Sequence, residues 1–478
     1  MCAVQCELYA WVFGDLAYNW PMLEAFPGVP EELVHSWLHD LGGETGFLPR
    51  RTPAETLPAR WLAYLNAALE LPERYHCAGA DVRPWLSSVF ARPMPDADAA
   101  LKSLSEAEAD KLETVVGVLA HAFRWGSAPP LPERYTETAL TLPAGLADVW
   151  AAFGRSRGHP RVGNMFSIVL ANWCLHDVPG HARYSPDELR AGEYRIAIPW
   201  LLSEKISQLT AFLGASIETE ARGAPVVKTA VELVGATLLD DETLVGLLLE
   251  RLRTELKVMS EPFMFYVRKG NFTSDDFLTL IQPTTIWGLD EGEGVLEGVS
   301  GPQIGVLQVA DGVLGIERSS PMGQAALHTR MYLPARQKRF LEVFERYSAR
   351  VSAYVLWKNE SALIEPFNAC LDVMMMWRKM HQKRGAMNLK SNVQGAAYNY
   401  TSSGGGIALE DERVKRFEGL MQDRMDETRA ARVDPGINSF EPLAPHPQPT
   451  DRSGLPERRG QPVQPQTEPI TGPDLIDR

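Results

Sequence analysis

The chain is 478 residues long, 45% hydrophobic and 23% charged, enough to bury a large core as one big domain or two. Its net charge of −14 and pI near 5.3 argue against nucleic acid and against an anionic membrane surface as partners. No basic start precedes an unbroken apolar run, and no window long enough to span a bilayer is free of charge, so a soluble, cytoplasmic protein with no membrane partner is expected.

The cysteines Cys2, Cys6, Cys77, Cys174 and Cys370 are odd in number and scattered. Cys2 and Cys6 lack nearby His or Cys partners for a metal, which leaves reduced thiols. Residues 1–100 are rich in Trp, Pro and Leu, with short helices at Glu31–Leu41 and Ala59–Leu69. GFLPRRTPAETLPARW reads as an extended loop between them, because its prolines break the period. Ser103-Leu-Ser-Glu-Ala-Glu supplies capping and first-turn acid signals for a helix running to about Phe123. That helix carries His121, read as structural; His176 reads as a surface or loop histidine.

Further on, Trp200–Gly223 is helical, and Val226 to about Met259 forms one or two helices with a break at Asp240-Asp241. Leu244, Leu247, Leu248 and Leu252 share a face and read as core, since no heptad is sustained. TTIWGLDEGEGVLEGVSGPQIGVLQVADGVLGI opens glycine-rich and then becomes apolar and helical. No Lys-Ser/Thr follows it and no GxGxxG sits after a clear strand, so it does not read as a nucleotide site. After about Arg432 the chain turns proline-rich and poor in large apolar residues, a disordered or surface-lying tail. Helical periods dominate and alternating strands are scarce. A mostly α-helical fold is expected, divided into a small N-terminal helical domain (1–150), a larger helical domain (151–432) and the tail (433–478).

The stretch Ser361–Glu410 organises the rest. Leu363, Phe367, Cys370, Met374, Trp377 and His381 recur at spacings of four and three and share one helix face. Arg378 precedes His381 by one turn and can lie beside it. Beyond comes a polar segment and Ser402-Ser403-Gly404-Gly405-Gly406, a loop able to approach a ligand closely. His381 has two readings: a core histidine satisfied by a backbone carbonyl, or an axial haem ligand projecting into an apolar cavity. In the second, Arg378 would meet a haem propionate. Spacing does not separate them.

The stretch resembles the proximal helix of the indoleamine 2,3-dioxygenase family, in which an R-x-x-H motif precedes a Gly-rich G-T-G-G-type loop; here these are Arg378-Lys-Met-His381 and SSGGG. Similar blocks follow the family's order over roughly residues 40–430. They are Val169-Leu-Ala-Asn-Trp173, Glu218-Thr-Glu-Ala-Arg-Gly-Ala-Pro225, Phe277–Pro283, Gly298-Val-Ser300-Gly-Pro-Gln303 and Pro334-Ala-Arg-Gln-Lys-Arg-Phe-Leu. The resemblance implies haem b, with His381 on iron, Arg378 at a propionate, and Ser300 and Gly301 on the haem's distal side. It also implies a dioxygenase that adds O2 across the C2–C3 bond of an indole, needing no protein acid–base dyad beyond the haem iron.

Departures fall on the substrate side. Gln282 stands where the family's F-x-x-x-x-R-P motif has the arginine that binds tryptophan's carboxylate, while Phe277 is retained to stack on an aromatic ring. Aligned on EARGAP, the family's distal Phe and Ser fall near Thr210 and Gly214, and the loop threonine's nearest counterparts are Ser402 or Ser403 with Gly404. The resemblance thus implies O2 and a small indole-type aromatic as partners, with the chain a monomer or homo-oligomer. Three functions stay open at this point. They are a dioxygenase of tryptophan or an indole derivative, a pyrrolnitrin-pathway-like indole rearrangement on the same scaffold, and a non-catalytic haem or helical interaction protein.

Overall fold

A single long helix joins two apolar cores. The computed structural model describes residues 26–75, 81–268, 270–290, 295–390 and 410–435, and these are mostly α-helical as expected. In the first part of the chain, α1 (Glu31–Ser36), α2 (Leu62–Arg74), α3 (Arg83–Val89) and α4 (Ala97–Leu101) lead to α5, Glu106–Trp125. Ser105 begins α5 through a capping box: its hydroxyl accepts from Glu108 N at 3.3 Å, and the Glu108 carboxylate accepts from Ser105 N at 2.8 Å. With α6 (Ala144–Arg157), α5 centres a core that includes Trp61, Leu119, Trp150, Phe166 and Trp173. The short strands β1 (Trp173–Leu175) and β2 (Tyr194–Ile196) pair antiparallel beside it.

The joining helix is α7, 33 residues from Ile206 to Leu238. Its first half gives Leu209, Leu213 and Ile217 to the first core; its second half gives Val227, Val231 and Val234 to another. The sequence places a helix boundary near Pro225, yet α7 runs through it. Proline loses one intrahelical hydrogen bond, but burial of apolar faces on both sides outweighs that loss. Conversely, the stretch before Ile206 is bend and a single 3-10 turn rather than helix. The expected break is present at Asp240, in the left-handed region (φ 57°), and at Asp241, whose carboxylate caps α8 (Glu242–Tyr266) by accepting from Leu244 N at 2.9 Å. One detail differs: Leu247 is 65% exposed, and the buried stripe of α8 is Val245, Leu248, Leu249, Leu252 and Leu256.

The stretch read as a loop leading into a helix contains a hairpin, β3 (Ile286–Asp290) paired with β4 (Val295–Gly298). Gly298 ends it at φ +98°, where an added Cβ would lie 2.5 Å from the Thr285 carbonyl oxygen, so only glycine fits. The second core then gathers α9 (Gly305–Val313), α11 (Ala335–Lys358) and α12 (Ser361–Asn388) around α7 and α8, with α10 (Pro321–His328) outside it. Helix α12 continues about two turns past His381 instead of closing there. The last described helix is α13, Glu410–Ala430, which packs on α12 and α10. No described helix is long and apolar enough to cross a membrane. The expected tail lies almost wholly outside the described residues.

The two halves are tied by a buried carboxylate. Glu220 on α7 accepts from Gly305 N at 2.6 Å and from Val306 N at 3.3 Å, satisfying open donors at the start of α9. Burial pushes its pKa up to about 8, and these hydrogen bonds only partly oppose that. A raised carboxyl pKa contributes stability that is complete at low pH and is lost as pH rises through about 8. Glu220→Gln is therefore expected to flatten the alkaline fall in stability. Urea unfolding at about pH 6 and about pH 9 should show a wild-type loss on the order of a few kcal/mol that the variant lacks. Equal losses in both proteins would assign the fall to another group.

Candidate haem and substrate site

Between the two cores lies a cavity of about 300 Å3, bounded by α7, α8, the segment Phe272–Ile286, the Val299–Ile304 stretch, α9, α12 and α13. Most of its lining is apolar or aromatic, as small-molecule sites require. His381 enters it from α12, boxed by three rings: Phe263 of α8 at 4.9 Å, Trp377 at 5.1 Å and Phe417 of α13 at 5.6 Å. Protein surrounds the imidazole, yet it keeps some accessible surface because it faces the cavity.

His381 differs from the other buried histidines in its hydrogen bonds. His121 has Nδ1 3.1 Å from the Thr284 carbonyl and accepts from Gly163 N at 3.0 Å, which fixes it as a satisfied core residue. His159 sits between Glu113 at 2.8 Å and the Pro160 carbonyl at 2.9 Å. Nδ1 of His381 is buried with no partner. The backbone carbonyl that the core reading requires is absent among the described residues. An orphaned polar atom of this kind costs about 1–3 kcal/mol. Burial, aided by the Arg378 charge, pushes the His381 pKa down to about 4, so the ring is neutral near pH 7 and its lone pair is available to a metal.

Arg378 lines the same cavity, 4% exposed, and is ion-paired with Asp311 of α9. The second oxygen of Asp311 pairs with Arg424 of α13, which also donates to the Glu317 carbonyl at 2.7 Å and pairs with Glu427. Arg378 further donates to the Arg424 carbonyl at 3.3 Å. Burial alone would raise the Asp311 pKa, but the Arg378, Arg424 and Arg318 charges together hold it below the usual carboxylate range. A guanidinium has more N–H donors than these bonds use, so pairing with Asp311 leaves Arg378 able to meet an anion.

Ser300, Gly301, Phe277 and Gln282 also line the cavity. Phe277 belongs to a π-helical turn, Phe277–Ile281, and forms a cluster with Phe212 (5.8 Å) and Phe272 (6.3 Å). Gln282 follows immediately, 7% exposed, with a buried and unpartnered Oε1. Thr210 and Gly214 stand away from the cavity. A Cβ on Gly214 would lie 2.9 Å from the Tyr194 hydroxyl and from the Tyr266 ring, so this glycine admits two tyrosines rather than opening substrate space. The α7 residues that do line the cavity are Phe212, Ala215, Ser216 and Thr219. Phe212 and Ser216 stand two residues along α7 from Thr210 and Gly214, and two residues along a helix turn a side chain by about 200°. Ser403 and Gly404 lie outside the described residues.

Sequence reasoning passed over α13 altogether. It brings Arg413, Arg416, Phe417, Met421 and Arg424 to the cavity, and the Phe417 ring occupies the space that a Cβ on Gly385 would need. Its signal was the spacing of Val414, Phe417, Met421 and Met425, all buried, in an otherwise charged segment. Asp311 is a lone acid in the apolar run of α9, where burial demands a partner, although the sequence does not name that partner.

A neutral, partnerless histidine, an apolar slot for a flat ring system and buried arginines for carboxylates fit a haem. No individually curated protein matches the sequence. The family described as indoleamine 2,3-dioxygenase matches over residues 38–385, nearly three-quarters of the chain, a span that includes His381, Arg378, Gln282 and the Ser300 block but ends before α13. The chain therefore belongs to the indoleamine 2,3-dioxygenase family, whose members are haem dioxygenases.

Proposed function

We propose that this protein is a haem-dependent dioxygenase adding both atoms of O2 across the C2–C3 bond of an indole-type substrate, in which His381 would hold the haem iron. The observation that carries the reading is His381 itself: neutral, without a hydrogen bond at Nδ1, and facing a cavity large enough for a ligand. Haem, when bound, supplies the oxygen chemistry that no side chain offers.

The chain's own residues bind and orient. Arg378 and Arg424, held in place by Asp311, would present positive charge to the haem carboxylates. Phe212 and Phe277 flank the flat substrate ring, and Ser216 places a hydroxyl on the same wall. Among the described lining residues the only carboxylate is Asp311, fully engaged by its arginines, so no protein general base competes with this reading. The apolar lining excludes water, and the rigid helical walls fix the reacting geometry.

The test uses the haem-loaded full chain, a reductant, isotopically labelled dioxygen and substituted indoles. Incorporation of both labelled atoms into a ring-opened product is expected. A rearranged product free of the label would replace dioxygenation with another chemistry on the same scaffold.

A further inference from the structure

Gln282 lines the cavity directly after the Phe277–Ile281 turn and carries a buried polar atom with no hydrogen-bond partner. Its Oε1 is buried and unpartnered, the side chain is 93% buried, and Pro283 after it has no backbone N–H to offer an anion. The cavity lining also includes Phe212, Ser216, Thr219, Phe272, Phe277 and Thr285. None of these is cationic. The arginines of the cavity all come from α12 and α13.

We infer that the substrate side chain read by Gln282 ends in an uncharged group carrying a hydrogen-bond donor, such as a carboxamide or an alcohol, and not in a carboxylate. This rests on the proposed indole site. A carboxamide side chain offers one acceptor and two donor hydrogens. An ionised carboxylate only accepts, so it answers the Nε2 donors of Gln282 and leaves Oε1 orphaned. A primary amide answers both ends in a reciprocal pair. The preference is that of a site built for a neutral partner, which rejects a ligand that cannot complete its hydrogen bonds.

The experiment compares near-isosteric probes by titration calorimetry on the full-length, haem-loaded protein: indole-3-propionamide, indole-3-propionate and tryptamine. The amide is expected to bind at least tenfold more tightly than either charged probe. Gln282→Leu, which removes the buried polar atoms without adding charge, should weaken the amide about tenfold and leave the propionate nearly unchanged. Gln282→Arg should reverse the order in favour of propionate. Propionate or tryptamine binding as tightly as the amide, an amide preference unmoved in both variants, or no binding of any probe would overturn the inference. The haem reading fails separately: an amide preference in a protein that shows no Soret band after haemin reconstitution would retain the Gln282 assignment and remove the oxygenase.

Discussion

His381→Ala is expected to abolish haem binding while leaving the apo-protein nearly as stable as wild type. The reduced wild-type protein should show a Soret band that moves on adding carbon monoxide; in the variant the band collapses, and free imidazole should restore it. Stability of the apo-variant should stay within about 1 kcal/mol of wild type, because the ring makes no hydrogen bond at Nδ1 and its removal enlarges an existing cavity instead of opening a sealed void. A core histidine would behave in the opposite way, with an unchanged spectrum and a folding penalty of about 2 kcal/mol or more. The pH dependence follows from the same environment. A pKa held near 4 keeps the ring neutral, so ligation should persist unchanged down to about pH 5 and weaken only as pH falls through about 4. For folding, the sign is that of a depressed base: the ring's contribution is complete above about pH 6.5 and falls away as pH drops toward 4. A Soret band of full strength in the alanine variant would move the ligand to another histidine.

The helical character of the chain was legible because apolar residues at spacings of three and four carry it directly, as in Leu363, Phe367, Cys370 and Met374, all buried. The Ser105 cap and the Asp240-Asp241 break were legible for a similar reason: their chemistry acts within a few residues of itself. The β3–β4 pairing was not, since the Gly- and Glu-rich sequence between the strands also reads as a helix-leading loop, and pairing between strands is a non-local decision. Within the site, the cavity-facing residues of α7 are Phe212, Ala215, Ser216 and Thr219, not Thr210 and Gly214. One short block does not say which face of a long helix meets the cavity, because the face changes within two residues. The partner of Arg378 was illegible for another reason. Asp311 is 67 residues away in sequence, and only the fold brings the two together.

That ion pair carries the largest expected stability effect. Asp311 is the single carboxylate bridging Arg378 of α12 and Arg424 of α13, with all three side chains at most 10% exposed. Removing one member of a buried charged network leaves the others desolvated and unpaired, which costs about 3–5 kcal/mol. Asp311→Ala is expected to reach that range in urea unfolding, and Asp311→Asn, which keeps the shape but loses the charge, should recover only part of it. The loss should extend to function in a particular order. With Asp311 gone, Arg424 keeps Glu427 and the Glu317 carbonyl, whereas Arg378 keeps only the Arg424 carbonyl, so the α12 side of the cavity should loosen first. Haem affinity should fall in the alanine variant, and the His381 box should follow through Phe417, which α13 holds against the ring. The acid limb gives a further check. A carboxyl pKa held below its usual value contributes stability that is present above about pH 4 and is lost as pH falls through the depressed pKa, so wild type should unfold more steeply in acid than Asp311→Asn. Parallel acid limbs and a stability loss under about 1 kcal/mol would show that the arginines find water or other partners, and that the bridge does not hold α13 on the site.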